Sequence, residues 1–88
     1  MKLDENLRFD FVNHKDSCLR LIKSWATHKV MKKPVEHLSF IAEVNMLLKT
    51  ETGQQSAKPG DVVIISDEEA WVVTKEYFEK NYENRGEL

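Results

Sequence analysis

The sequence predicts an α+β fold in which one main helix lies on a face of a small antiparallel sheet. Three observations favour this fold. Leu7, Phe9 and Phe11 alternate with other side chains in the period of a half-buried strand. The apolar residues at 18, 21, 22, 25 and 26 then follow the spacing of an amphipathic helix. Val62–Ile65 is an uninterrupted apolar run, which is typical of a strand covered on both faces.

The first third of the chain is expected to form a strand over residues 7–12 and then the main helix. Asp16 or Ser17 supplies a side chain that can cap the start of this helix. Pro34 disfavours helical backbone at the residue before it, so the helix is predicted to end by Val30. Its spacing makes Trp25 a core residue, although an indole can also stack on a nucleic-acid base.

Two periodicities fit residues 38–49. Apolar side chains alternate as in a strand at 38, 40, 42, 44, 46 and 48, whereas those at 41, 44, 47 and 48 form a helical stripe. We favour a single strand, because the segment runs directly to Gly53. Residues 53–56 are then expected to form the loop to the next antiparallel strand.

Residues 58–61 are predicted to reverse the chain in a β-turn. Pro59 presets φ at the first central position, and Gly60 accepts the positive φ that a type II turn needs at the second. Val62–Ile65 and Ala70–Val73 are then the two strands of a hairpin. Its tip consists of the three acids at 67–69, which cannot be buried together.

A short helix is predicted to follow the hairpin. Thr74 is a good N-cap, and an acid at 76 suits the first turn of a helix. Phe78 and Tyr82 are one helical turn apart, so both rings can reach the sheet. We expect Trp71 and Phe78 to be core residues, and Tyr77 and Tyr82 to keep a polar edge at the surface.

This C-terminal stretch resembles a module found in small accessory proteins of tailed phages and prophages. The shared features are Pro59-Gly60-Asp61, an apolar strand, a second strand and a helix that carries Phe78-Glu79-Lys80-Asn81-Tyr82, a Phe-Glu-x-x-Tyr motif. The resemblance covers about the last third of the chain. It implies a phage-type accessory protein, but it implies no specific activity, because these proteins share no agreed one.

Length and composition place the chain among single globular domains. Its 88 residues fit one domain over 1–88, with residues 84–88 expected to be a frayed tail. With 41% hydrophobic and 32% charged residues, disorder along most of the chain is disfavoured. No apolar run approaches a membrane span and the N-terminus is too polar for a signal peptide, so we expect a cytoplasmic protein. Cys18 is the single cysteine, which excludes an intrachain disulfide.

The residues offer little support for catalysis or for a cofactor. The three glycines are far apart, so there is no Gly-rich phosphate loop. His14, His28 and His37 share no ligand spacing with one another or with Cys18, and we therefore expect no metal. Nothing near the acids at 67–69 would separate their pKa values for acid–base chemistry. We expect a protein that is not an enzyme.

Charge is distributed unevenly along the chain and suggests two alternative binding surfaces. Complementary charge suits docking to a partner, or a homodimer in which opposite charges meet. The acidic surface comprises Asp67, Glu68, Glu69, Glu76, Glu79, Tyr82 and Glu83. The alternative basic surface, on the predicted main helix and the segment after it, comprises Arg20, Lys23, Lys29, Lys32 and Lys33.

The resemblance implies a phage or prophage protein, and we expect it to be non-enzymatic and to bind a host macromolecule that it modulates or inhibits. A component of host defence or of transcription is the expected partner, reached through the acidic surface in the host cytoplasm. The alternative is a small nucleic-acid-binding regulator that uses the basic helix. A pI of about 5.9 weighs against that alternative.

Overall fold

A computed structural model describes residues 7–32, 35–67 and 69–87, and confirms the α+β fold. Within this part of the chain there are two helices and eight strands, arranged in two sheets. In chain order the elements are β1 (Leu7–Asp10), α1 (Lys15–Lys23), β2 (His28–Lys32), β3 (Val35–Ile41), β4 (Met46–Thr50), β5 (Gly53–Ala57), β6 (Val62–Ile65), β7 (Ala70–Val73), α2 (Lys75–Asn81) and β8 (Glu83–Glu87).

The two sheets differ in size and in strand direction. The small sheet has the order β1-β4-β5, and the large sheet has the order β7-β6-β3-β2-β8. All pairs in the large sheet are antiparallel, as expected. In the small sheet β1 runs parallel to β4, with Phe9 opposite Leu48. The expectation of one purely antiparallel sheet was therefore wrong, because β1 joins β4, a strand distant in sequence, rather than a hairpin neighbour.

Two apolar cores separate the layers of the molecule. The first core fills the space between the small sheet, α1 and one face of the large sheet, and its buried residues include Phe9, Leu19, Ile22, Phe40, Leu48, Val63 and Ile65. The second core lies on the other face of the large sheet, beneath α2, and contains Val30, Val62, Ile64 and Tyr82. β6 contributes to both cores. This confirms that its apolar run is covered on both faces.

The main helix is shorter than predicted and has a different start. It begins at Lys15 with His14 as an N-cap that makes no side-chain bond, so neither Asp16 nor Ser17 caps it. The carboxylate of Asp10 instead holds the preceding turn by accepting from the backbone N–H of Val12 at 3.0 Å. It also accepts from the N–H of Asn13 at 3.1 Å and from its side-chain amide at 2.9 Å.

α1 ends at Lys23, and residues 28–32 form a strand where the end of the helix was expected. Tight hydrogen bonds close the last turn, and the Thr27 N–H then donates to the Ser39 carbonyl at 2.8 Å. Trp25 leaves the helical path and packs edge-on against Phe9 and Phe40, with centroids at 5.7 and 6.0 Å. Contacts between the two sheets therefore override the local helical periodicity.

Residues 38–49 are extended, as favoured, but they form two strands in different sheets. The break falls at Ala42, which is buried and bonded to the turn at 58–61. Its N–H donates to the Asp61 carbonyl at 2.8 Å, and its carbonyl accepts from the Gly60 N–H at 2.9 Å. The loop predicted at 53–56 is also wrong. Those residues belong to β5, which pairs with β4.

The turn at 58–61 and the hairpin after it are confirmed. The Asp61 N–H donates to the Lys58 carbonyl at 2.9 Å, and Gly60 has φ of +99°. β6 and β7 pair antiparallel, with Val63 opposite Val72. At the hairpin tip the Ser66 hydroxyl accepts from the Glu69 N–H at 3.0 Å. Glu68 lies outside the described residues.

The C-terminal segment is a strand rather than a frayed tail. β8 pairs antiparallel with β2 through residues 83–87, and residue 88 lies outside the described residues. β7 and β8 are therefore parallel strands at opposite edges of the large sheet, joined by α2. Four strand spacings of about 4.8 Å give a span of about 19 Å. The seven residues of α2 rise about 10 Å, so the helix can bridge about half of this distance.

Candidate functional site

α2 presents the clearest candidate binding surface. Its N-terminus is fixed by Thr74, whose hydroxyl accepts from the Tyr77 N–H at 3.1 Å, as predicted. At its other end the Asn81 side chain donates to the Tyr77 carbonyl at 2.9 Å. Glu76 and Lys80 form an ion pair at 3.8 Å, and both side chains are more than 70% exposed. Such an exposed pair stabilises a helix by at most about 0.5 kcal/mol, so Glu76 is largely available to a partner.

The inner side of α2 is an aromatic contact with the large sheet. The rings of Phe78 and Tyr82 stack with centroids at 5.4 Å. The Trp71 indole N–H donates to the Tyr82 hydroxyl at 3.1 Å, and Trp71 also meets His37 edge-on at 5.3 Å. Tyr82 is only 8% exposed. It supports α2 from below, so the polar edge that was expected at the surface is largely buried.

The outer side of α2 carries an exposed aromatic residue beside a depression. Tyr77 is 44% exposed. It borders a depression of about 440 Å³, whose other lining residues are Trp71, Val72, Val73, Thr74 and Tyr82. Glu76 and Glu79 are exposed on the same helix. We call Trp71, Val73, Glu76, Tyr77 and Glu79 the α2 surface.

The structure divides the predicted acidic surface between the two faces of the large sheet. Glu69, at the hairpin tip, lines a small cleft with Lys15 and Glu51, on the side of α1. Glu83 pairs with Met31, one residue beyond the buried Val30. Successive strand residues face opposite sides, so the register also places Glu83 on the side away from α2. Exposed Asp67 lies with Glu69 at the tip, which leaves two of the predicted acids on α2.

The predicted basic surface is also divided. Arg20 and Lys23 are exposed on α1, but the helix ends there. Lys29 and Lys32 belong to β2, a strand of the large sheet and not a continuation of the helix. Lys33 lies outside the described residues. A continuous basic helix was therefore wrong, because β2 replaces its second half.

A second exposed apolar surface was missed by sequence reasoning. Trp25, expected in the core, is 37% exposed, and Ile41 is 52% exposed. They line a groove of about 370 Å³ at one end of the two sheets, together with Leu7, Thr27, Phe40, Glu43, Val44 and Met46. The alternation of residues 38–48 is consistent with Ile41 and Phe40 facing opposite sides of a strand. Only the pairing of the strands shows that no residue in the described part of the chain covers Ile41.

The pKa values of Asp10 and Cys18 are shifted from their usual values by their immediate surroundings. The hydrogen bond from the Asn13 side chain, followed by backbone bonds and the charge of Lys49, lowers the pKa of Asp10. Burial raises the pKa of the half-buried Cys18 thiol, which also donates to the Asp10 carbonyl at 3.6 Å. A raised pKa disfavours the nucleophilic thiolate. Neither group lies in an arrangement typical of catalysis.

Among the residues that the structure describes, no group of three or more His, Cys, Asp or Glu side chains is placed to hold a metal ion. No helix there is long and apolar enough to cross a membrane. Comparisons with protein-family models, curated proteins and solved structures found no match to this chain.

Proposed function

We propose that the chain is a non-enzymatic phage or prophage accessory protein that binds a host protein and modulates or inhibits it. The resemblance of the Pro59-Gly60-Asp61 module supports the phage class. The observation that carries binding is exposed Tyr77 beside a depression of about 440 Å³. Host defence and transcription components in the cytoplasm are the partners proposed.

The α2 surface combines the two properties of a protein-docking site. Tyrosine is a common interface anchor, because its ring buries a large area at a small cost in side-chain entropy. Here Tyr77 is exposed, while Tyr82 and Phe78 below it fix the helix to the sheet. A side chain of the partner can fill the depression against Val73. The anchor is thus held on a rigid support, which reduces the entropy lost on binding.

Charge on α2 indicates the chemistry of the partner. Glu76 and Glu79 are exposed on α2, as are Lys75 and Lys80, and Lys80 is held near Glu76 by the ion pair. Complementary charge speeds the encounter and selects among partners. We therefore expect Glu76 and Glu79 to meet basic side chains of the partner, and one of its apolar side chains to fill the depression.

Capture from host lysate, followed by binding measurements with the purified captured protein, tests this proposal. The variant Glu76→Lys/Tyr77→Ala/Glu79→Lys should weaken binding at least about tenfold, or 1.4 kcal/mol. Glu43→Lys/Glu51→Lys is the matched control, since it reverses two exposed acids elsewhere. Equal affinity of the α2 variant and the wild type for every captured protein would refute the proposal.

A further inference from the structure

We propose that the outer face of the small sheet holds a phosphate-binding site formed by Arg8, Asn45, Ser56 and Lys58. The four side chains line one depression of about 290 Å³, whose other lining residues are Met46, Leu47 and Ala57. The register places Arg8 opposite Leu47, and Leu47 opposite Ser56. These three residues therefore form one row across the sheet. Asn45 precedes β4 and Lys58 follows β5, so both lie at the same end of the small sheet, next to this row.

The four polar side chains are available to a ligand. All four residues are exposed, whereas Met46 and Ala57 beneath them are buried. Within residues 7–32, 35–67 and 69–87, none of these side chains has a hydrogen-bond or ion-pair partner. A guanidinium, an ammonium, an amide and a hydroxyl are thus uncommitted donors around one concave surface.

The donor types favour phosphate. One guanidinium group can donate two parallel hydrogen bonds to two oxygens of a phosphate. An ammonium group adds a positive charge that attracts the phosphate. Asp61 lies close to Lys58, and its carboxylate accepts from the Lys58 backbone N–H at 3.0 Å. Lys49 lies on the same face of the small sheet, opposite Asp10. It is two residues along β4 from Leu47, which is opposite Arg8. Asp10 is ionised there, and its oxygens accept hydrogen bonds from residues 12 and 13.

This site is separate from the α2 surface. The inner side of the small sheet packs on the first core, whereas α2 covers the second core on the far side of the large sheet. A phosphate can come from a small molecule or from a nucleic-acid backbone. Both sources present the same oxygens to the four donors, so the experiment uses one probe for each.

The test follows backbone amide shifts by NMR while inorganic phosphate, and separately a short single-stranded DNA oligonucleotide, is added. At least one probe should shift the amides of Arg8, Asn45, Ser56 and Lys58 saturably, with Kd of about 10 mM or tighter. Arg8→Gln/Lys58→Gln should weaken that binding about tenfold. Lys75→Gln/Lys80→Gln removes the same net charge from α2 and should change it less than twofold.

The two probes distinguish the source of the phosphate. Saturation by inorganic phosphate alone indicates a small phosphorylated ligand. Tighter binding of the oligonucleotide indicates a nucleic-acid backbone, and the double variant should then reduce the slope of log K against log salt by about 1.4. The proposal fails if neither probe produces saturable shifts, or if both double variants weaken binding equally.

Discussion

At the scale of single residues, Tyr82 connects α2 to the large sheet. It is buried, stacks on Phe78 and accepts the Trp71 indole N–H. Tyr82→Phe should lower the free energy of unfolding by about 1 kcal/mol, because it removes one hydrogen bond and keeps the stacked ring. Urea unfolding measures the change, with the exposed Glu79→Gln as a control. A Tyr82→Phe variant as stable as wild type would show that the bond contributes nothing.

Gly60 tests the backbone of the turn at 58–61. Its φ is +99°, and no atom lies within 4 Å of the position a Cβ would take. A Cβ at this position therefore strains the backbone without meeting a neighbouring atom. Gly60→Val should cost about 1 to 3 kcal/mol, and Gly60→Asn should cost less, because asparagine tolerates positive φ better. Thermal unfolding gives both values, and equal losses for the two variants would argue against a backbone cause.

The lowered pKa of Asp10 predicts that the stability of the fold depends on pH. Hydrogen bonding to Asn13 lowers its pKa in the folded state, so the folded chain binds this proton less readily than the unfolded chain. Its stabilising effect is present above the unfolded pKa of about 3.9 and is lost as the pH falls through the lowered folded value. Asp10→Asn should therefore be less stable than wild type near pH 6, with a difference that shrinks on acidification. Unfolding by urea at several pH values measures it. A difference that is constant with pH would contradict this role.

At the scale of elements, the sequence predicts those whose determinants are local. The turn at 58–61, the hairpin after it and the Thr74 cap depend on neighbouring residues, and all were found. β5 and β8 were missed because they are polar edge strands. β5 is positioned by its pairing with β4 and by the side chain of Gln55, whose Oε1 accepts from the Val72 N–H at 2.8 Å.

The candidate site was predicted only in part, for the same reason. Local spacing identified α2 and its exposed acids. Strand order and register decide whether Glu69 and Glu83 lie on the same face of the large sheet as α2. The spacing of residues along the sequence does not reveal either of them. The exposure of Trp25 likewise depends on how the two sheets meet. Both features arise from contacts between residues distant in sequence.

β8 provides a test at the scale of elements. Ending the chain after Tyr82 removes this strand and leaves β2 without its outer partner. The loss of several backbone hydrogen bonds, at about 1 kcal/mol each, should lower stability by about 2 kcal/mol or more. Removal of residue 88 alone should have little effect. Urea unfolding that gives the same stability for both truncations would support a frayed tail instead.

At the scale of the whole molecule, the layers separate two surfaces of different character. The α2 surface joins exposed Tyr77 to acids and lies outside the second core. The outer face of the small sheet, with Arg8, Lys49 and Lys58, lies outside the first core. The large sheet stands between them. The two proposed ligands, a protein at α2 and a phosphate at the small sheet, would therefore bind without competition.

The most direct test of protein binding through α2 is amide hydrogen exchange of the chain, alone and with the captured host protein. Binding should slow exchange in β7 and α2, residues 70–81, and leave the small sheet at residues 46–57 unchanged. Tyr77→Ala should reduce this protection at the same protein concentrations. Protection confined to the groove lined by Trp25 and Ile41, or to the small sheet, with exchange in α2 unchanged, would contradict binding through α2.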